Sequence, residues 1–255
     1  MFWNRAAIVA NQALANGDLM PIATEPMTVR QNNTDFVVRI RNENMEKKFT
    51  LSKERGNPFL PYDDSMYVHA AGDSHVCLLN KFPVLSPHLL ICSNEFIEQT
   101  KPLEKIDFKA WLLGFCESDV LGFYNSGGDA GASQPHRHMQ LVKTGIPLRS
   151  TIESGELPFN HKIARFEELD AELIHERYLT GMQELELYDK NVCKPHNLLL
   201  TSNWLLIVPR SRASLNHIFV NGLNYAGQFL VKDLQSKNQL EAQGILNILK
   251  KCSEY

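Results

Sequence analysis

A run of small, turn-forming residues that passes without a gap into an alternating strand constrains this chain more than any other feature of its 255 residues. The run is Asn125-Ser126-Gly127-Gly128-Asp129-Ala130-Gly131-Ala132-Ser133-Gln134, and Pro135-His136-Arg137-His138-Met139-Gln140-Leu141-Val142 follows it directly. Gly127, Gly128 and Gly131 permit positive φ and close backbone approach, so successive N–H groups can converge on a phosphate. Along a strand, side chains alternate between faces, so His136, His138 and Gln140 point one way and Arg137, Met139 and Leu141 the other. A neutral imidazole beside a phosphate cradle is a competent nucleophile near neutral pH, and its phosphoramidate is reactive enough to pass the group onward. Taken singly, a Gly-rich loop is usually only a loop, and alternate histidines are usually a metal pair or satisfied polar groups. Their junction without a gap is what points to function. A metal pair is disfavoured because no Cys, Asp or Glu lies near the two histidines at a ligand-like spacing, although His69, His75 and His88 can approach in three dimensions.

Composition narrows the partners. A formal net charge of -3 and the lack of any basic block give no general attraction for nucleic acid, so an anionic substrate has to be held by a few placed cations and backbone N–H groups. The cysteines Cys77, Cys92, Cys116, Cys193 and Cys252 are odd in number and scattered, with no C-x-x-C pair, which reads as a reduced, cytoplasmic chain without structural zinc. Met1 to Leu19 mixes Asn4, Arg5, Asn11 and Asp18 among small apolar residues and reads as an amphipathic helix rather than a signal peptide. No apolar run reaches the ~18 residues of a membrane-spanning helix. Asn32-Asn33-Thr34 fits a glycosylation pattern that is idle without secretion.

Period-two patterns predict strands at Phe36 to Ile40, Ser74 to Leu79, His88 to Cys92, Leu121 to Tyr124 and His138 to Val142, with a hairpin formed by Asn197 to Thr201 and Trp204 to Val208. Helical spacing marks Leu103 to Glu117, Ala171 to Tyr188 and Gln239 to Cys252. The irregular order favours an α+β fold with a mainly antiparallel sheet, flanking helices and a C-terminal extension. No repeat of fixed period and no low-complexity linker marks a division, so only a weak boundary near Pro147 to Pro158 separates residues 1–150 from 151–255. Trp111 and Trp204 lie in apolar runs and read as core. The histidines outside the motif, His69, His75, His88, His161, His175, His196 and His217, read as structural.

The run from Asn125 to Gln140 resembles the H-x-H-x-Q signature of the histidine-triad (HIT) superfamily, in its branch of ATP adenylyltransferases, also called diadenosine tetraphosphate phosphorylases. Ala13 to Glu25, Asn57 to Asp63, Leu78 to Ile91, Asn197 to Arg210 and Asn221 to Lys232 are similar to that branch as well, so the resemblance runs along nearly the whole chain. It implies a HIT-like fold in which His138 attacks the α-phosphorus and His136 holds the backbone and orients the nucleophile. Gln140 stands where hydrolases of the superfamily carry a third histidine, which implies transfer to phosphate rather than to water. Asn125, Gly131, Ala132, Ser133 and Gln134 match nucleotide and phosphate contacts, and Asn80 and Lys81 match a substrate-binding pair. Lys232 matches a basic residue that reaches the polyphosphate, with Asn221, Gly222, Leu223 and Gln228 lining the same site. Gln228 departs from a residue that is often Met.

The implied substrates are ATP, ADP, diadenosine tetraphosphate and phosphate, with no tightly bound cofactor and Mg²⁺ entering only with the nucleotide. Asp129 should therefore face outward or meet that Mg²⁺. Chemistry adds one expectation: His138 must be neutral to attack, so its other ring nitrogen should donate to a backbone carbonyl. A dinucleotide hydrolase, a transferase acting on a sugar phosphate and a nucleotide-binding module without turnover are the competing readings. The sugar-phosphate branch usually carries zinc on C-x-x-C cysteines, a spacing absent here.

Overall fold

The computed structural model describes residues 2–41, 56–189 and 192–254. It is an α+β fold dominated by antiparallel pairing. Helix α1 (Phe2–Asn16) precedes β1 (Thr24–Gln31) and β2 (Thr34–Arg41), and β3 (Tyr67–Ala70), β4 (His75–Leu79) and β5 (His88–Ser93) lead to α2 (Lys105–Leu112). Then come β6 (Val120–Ser126), β7 (His138–Lys143), α3 (Arg149–Ser154), β8 (Lys162–Arg165) and α4 (Ala171–Glu184). The short β9 (Tyr188–Asp189) and β10 (Val192–Cys193) precede the hairpin of β11 (His196–Leu200) and β12 (Trp204–Pro209). A second small pair, β13 (Ser214–Leu215) and β14 (Ile218–Phe219), leads to β15 (Gln228–Val231), α5 (Leu234–Gln243) and α6 (Ile245–Ser253).

Eight strands form one sheet in the order β3-β4-β5-β7-β6-β11-β12-β8, and β1, β2 and β15 form a second. Strands β8, β11 and β12, all beyond residue 150, hydrogen-bond into the same large sheet as β3 to β7. The chain order that suggests α+β therefore corresponds to a sheet whose outer strands come from both parts of the sequence.

The predicted helices are shorter than their patterns. Helix α2 begins where Glu104 and Asp107 form a reciprocal capping box, and it stops at Leu112, with Leu113 as its C-cap. Glu186, at φ +53°, follows the end of α4. The single helix expected over Gln239 to Cys252 is two, because Gly244 at φ +81° sits between α5 and α6, and a left-handed residue cannot continue an α-helix.

The two faces of the large sheet have different tasks. One face packs Cys77, Leu79, Leu89, Ile91, Met139 and Leu141 against Trp3, Ala6 and Val9 of α1, Phe108 and Trp111 of α2 and Ile174 and Tyr178 of α4. The other face carries two separate apolar clusters. Phe59 covers Val76, Leu78, Leu90 and Cys92 at one end. At the other end Phe36, Phe229, Tyr225 and the C-terminal helices cover Leu121, Phe123, Leu199 and Val208. The His138 and Gln140 positions of β7 lie between these two clusters, in register with Cys92 and Leu90 of β5, and Gln140 is in register with Phe123 of β6. Trp111 and Trp204 are both core, as their apolar context predicts.

Gly122 shows how tightly the helical face is packed. A Cβ there would lie 2.8 Å from Phe115 Cζ and 2.9 Å from Trp111 Cε2, both rigid rings. Gly122→Ala should lower the free energy of unfolding by about 1–3 kcal/mol through overpacking. Urea denaturation followed by tryptophan fluorescence measures this, and an unchanged midpoint would show that the rings move aside freely.

Candidate active site

His138 opens β7 with its side chain 4% exposed. Its Nδ1 lies 2.8 Å from the carbonyl oxygen of His136. A carbonyl only accepts, so Nδ1 carries the proton and Nε2 keeps its lone pair. Burial pushes the pKa of His138 down to about 4, with nearby His136 adding to the drop and the carbonyl contact opposing it. The imidazole is thus neutral at physiological pH and has one nitrogen tethered, as attack requires. The tether is the backbone of His136 and not its ring.

The His136 ring has another use. Asn57 Nδ2 donates to its Nδ1 at 2.8 Å, and its Nε2–H points to Ser93 O at 2.8 Å. Phe59 and Phe96 meet the ring edge-on at 5.5 and 5.6 Å, and Phe59 also lies 5.3 Å from the His138 ring. His136 therefore ties the Asn57 to Phe59 segment to the end of β5, and Phe59 of that segment walls the His138 ring.

Gln140 is aimed by a histidine that the sequence reading leaves as structural. His88 Nε2 lies 2.9 Å from Gln140 Oε1, and Asn80 Nδ2 donates to His88 Nδ1 at 3.2 Å. Burial holds the His88 pKa down at about 4, so the ring is neutral and Nε2–H is the donor. With its oxygen engaged, the Gln140 amide turns its N–H₂ donors away from His88. Asn80 Oδ1 in turn accepts from the N–H of Phe82 at 3.0 Å. The period-two pattern puts His88 on a face with Leu90 and Cys92, but only the β5–β7 register sets it beside Gln140.

A second amide network holds the loop. Asn125 Oδ1 accepts from Asn197 Nδ2 and from the N–H of Gly222, both at 2.8 Å, which leaves the Asn125 N–H₂ outside this network. Asn197 Nδ2 also donates to Ala130 O at 2.9 Å. The fully buried Arg210 donates to Ala130 O at 3.1 Å and to Val220 O at 2.9 Å. Gly131, at φ +90°, accepts the close approach of the C-terminal segment, since a Cβ there would stand 2.7 Å from Asn221 Cβ. Gly222 faces Asn125 Oδ1, which a Cβ would approach to 2.9 Å. Ser133 and Asp129 are exposed and Ala132 and Gln134 half-buried, so Asp129 faces solvent. A cavity of about 420 Å³ runs along the loop from Gly127 to Pro135, lined on its other side by Phe96, Glu98, Gln99 and Thr100 but by none of His138, Gln140 or Asn125.

The remaining predicted residues fall unevenly. Lys81 is half-buried and makes no ion pair among the described residues, while its carbonyl accepts from Met20 N–H at 2.9 Å. Asn221 caps a 3-10 turn, accepting from Leu223 N–H at 3.0 Å, and Leu223 packs against the second apolar cluster. Gln228 Nε2 donates to Thr144 Oγ1 at 3.0 Å and Gly145 O at 2.9 Å, an anchoring role beyond the far end of β7. Lys232 is exposed just past β15. Among the described residues no group of three or more His, Cys, Asp or Glu side chains is placed to hold a metal ion. No described helix is long and apolar enough to cross a membrane.

The chain is a nucleotidyltransferase on a HIT-like fold, and the neutral, tethered imidazole in the strand that follows a glycine-built loop is its candidate site. The comparisons agree. Residues 1–165 match the model of the Ap4A phosphorylase N-terminal domain and residues 155–254 that of the ATP adenylyltransferase C-terminal domain. The chain is 28% identical over 263 residues to diadenosine tetraphosphate phosphorylase 2 of Saccharomyces cerevisiae, covering 85% of this chain and 81% of that one. The crystal structure of yeast Ap4A phosphorylase Apa2 in complex with AMP superposes with a TM-score of 0.83 at 25% identity, over 99% of this chain and 96% of that one. The same enzyme in complex with Ap4A gives 0.82 at 25% identity, over 99% and 97%. The chain belongs to the Ap4A phosphorylase and ATP adenylyltransferase family.

The buried neutral histidines carry a consequence for stability. Burial depresses His138 and His196 to about 4, against an unfolded value near 6.5. Between those values the unfolded chain binds more protons than the folded one, so stability is full above pH ~6.5 and falls as pH drops toward 4. At pH 5 these two groups, with His88 depressed as far, should together take up about two to three protons on unfolding. Calorimetry in buffers of different ionisation enthalpy measures the uptake, and His196→Phe should reduce it by about one proton. An uptake unchanged in that variant would mean that His196 is protonated in the folded chain.

Proposed function

We propose that this chain cleaves diadenosine tetraphosphate with phosphate to give ATP and ADP, and builds the dinucleotide in reverse, through AMP carried on His138. The observation that carries the mechanism is the His138 ring itself, with Nδ1–H spent on the His136 carbonyl and Nε2 without a hydrogen bond among the described residues. In the first half-reaction the Nε2 lone pair forms a bond to the α-phosphorus. The bond from that phosphorus to the bridging oxygen breaks, and ATP leaves. In the second, an oxygen of phosphate bonds to the same phosphorus, the N–P bond breaks, and ADP is released with His138 neutral again.

Charge stabilisation is the protein's main contribution to such a transfer. The Gln140 N–H₂ group, turned outward by His88, suits the non-bridging oxygens of the α-phosphate. So do the Asn125 N–H₂ and the backbone from Gly131 to Gln134. Lys81 and Lys232 supply positive charge toward the polyphosphate, and any Mg²⁺ arrives with the nucleotide. Asn221, Gly222 and Leu223 act by shaping the wall behind Asn125, and Gln228 by anchoring β15 to the Thr144 to Gly145 turn. Residues 1–150 carry the nucleophile and 151–255 complete the site. Five cysteines without a disulfide support a cytoplasmic location. Neither nucleic acid nor a membrane is a partner on this reading.

Gln140 also accounts for the acceptor. A histidine there can take a proton from water, whereas an amide cannot, and a phosphate anion needs no such help. In an assay with diadenosine tetraphosphate, product should depend on added phosphate and consist of ATP and ADP. Equal turnover to AMP and ATP without phosphate would identify a hydrolase.

Mixing enzyme with α-labelled ATP and quenching in alkali should leave label on His138, stable to base and lost in acid. His138→Asn should cut transfer on the order of 10⁴-fold or more while nucleotide binding persists, which a module without turnover would not require. Kinetics demanding both substrates bound at once, with no adduct, would replace the two half-reactions by direct transfer. Lys81→Ala should lower kcat/KM about tenfold to a hundredfold and still permit the adduct. Elemental analysis of the purified protein is expected to find no stoichiometric zinc.

A further inference from the structure

We propose that Gln99, which neither the motif nor the family resemblance singles out, is a positioning residue for the transfer reaction, resting on the covalent mechanism above. Its side-chain amide is spliced into the sheet at the nucleophile. The β6–β7 ladder pairs Val120 with Lys143, Leu121 with Val142, Gly122 with Leu141 and Phe123 with Gln140, and there it stops. The next hydrogen-bonded pair in that register would be Asn125 and His138. Instead, Gln99 Nε2 donates to Asn125 O at 2.9 Å and to His138 O at 3.1 Å, and His138 N–H donates to Gln99 Oε1 at 2.8 Å. The backbone of the preceding residue faces the other way, with Arg137 N–H on Ile97 O at 2.7 Å and Arg137 O accepting from Ser93 N–H at 3.2 Å. Both backbone groups of His138 on the β6 side are thus held by one side chain.

Gln99 is itself fully committed. It is 2% exposed, its N–H donates to Pro135 O at 2.7 Å, and its carbonyl accepts from the Tyr124 hydroxyl. Every polar group it has is joined to β6, to β7 or to the residue before His136. An amide interposed in this way holds Asn125 and His138 further apart than direct ladder bonding would. It thereby sets the separation between the proposed nucleotide contact of Asn125 and the attacking ring, and it keeps the loop from Gly127 to Pro135 arched between them. Without it, Asn125 O and His138 N–H can close on each other as an ordinary antiparallel pair. That closure would draw the imidazole toward Asn125 and off the line of attack on the α-phosphorus. Gln99 also lines the cavity beside the loop, so the strand gap and that cavity share a wall.

The test compares nucleotide binding with adduct formation. In Gln99→Ala, AMP affinity by calorimetry should change less than about threefold, while the single-turnover rate of His138 labelling by α-labelled ATP should fall about 10²-fold, the penalty expected when a reacting group is misplaced by an ångström or so. Labelling within threefold of the unaltered enzyme, in a variant with native near-ultraviolet dichroism, overturns the proposal. Binding and labelling lost in parallel would also overturn it, because Gln99 would then only maintain the fold.

Gln99→Glu decides the matter if the alanine variant does not fold. The introduced carboxyl can still accept from His138 N–H, but it can donate to a carbonyl only when protonated. Labelling by the folded variant should therefore fall as pH rises from 6 to 9, a limb absent from the unaltered enzyme. A pH profile that parallels the unaltered enzyme overturns the proposal. If the unaltered enzyme itself takes no label, the covalent mechanism fails rather than the role of Gln99.

Discussion

Much of the site depends on a buried ion pair that lies on the other side of the sheet. Arg137 Nη1 meets Asp107 Oδ2 at 2.8 Å, with both side chains almost wholly buried. Asp107 Oδ1 accepts from His75 Nε2 at 2.9 Å, and Oδ2 also accepts the N–H of Glu104 at the start of α2. Removing two charges from water costs several kcal/mol per ion, and that cost is recovered only where each finds its partners. One register satisfies this condition. A slip of a single residue would carry Arg137 to the opposite face and put His136 and His138 into the layer packed on Phe108 and Trp111. The ion pair thus decides which way the histidines point, without touching either ring.

On the histidine side, the polar side-chain partners are amides and the His88 imidazole rather than carboxylates. Asn57 serves His136, His88 and Asn80 serve Gln140, Gln99 serves the His138 backbone, and Asn197 serves Asn125. An amide donates and accepts without charge, so it can fix a ring tautomer and still leave no negative side chain against the His138 ring. Burial without a nearby carboxylate lowers the histidine pKa values, whereas a carboxylate partner would raise them. The same choice that orients His138 therefore keeps it unprotonated and avoids repelling an anionic substrate.

The two family domains meet at the loop. Asn125 and Ala130 belong to the N-terminal match, Asn197, Arg210, Val220 and Gly222 to the C-terminal one, and their hydrogen bonds interlock around one 3-10 turn at Gly128 to Ala130. Arg210 donates to five acceptors there and near it, one of them the carbonyl of Cys252 at the end of α6. A glycine-rich loop alone has many conformations. Here the guanidinium and the close backbone contact at Gly131 leave it very few, which is how a flexible sequence becomes a fixed loop.

What the sequence determined by itself was local. Residue alternation put His136, His138 and Gln140 on one face, small residues in the preceding segment announced a loop able to approach an anion, and apolar runs marked Trp111 and Trp204 as core. These features repeat over a few residues, so they can be read without knowing what lies opposite. Tertiary structure decided everything that needed a partner distant in sequence. His88 lies 52 residues from Gln140, Gln99 lies 39 from His138, and Gly222 lies 97 from Asn125, and no local period relates them. The ends of α2 and α4 and the break at Gly244 likewise came from caps and positive φ values rather than from apolar spacing. The packing of Leu223 and Gln228 was out of reach for the same reason, since only the fold sets Leu223 against an apolar cluster and holds Gln228 against Thr144. Strand pairing chooses among registers by burying charge with charge and amide with backbone, and that choice is a property of the assembled sheet.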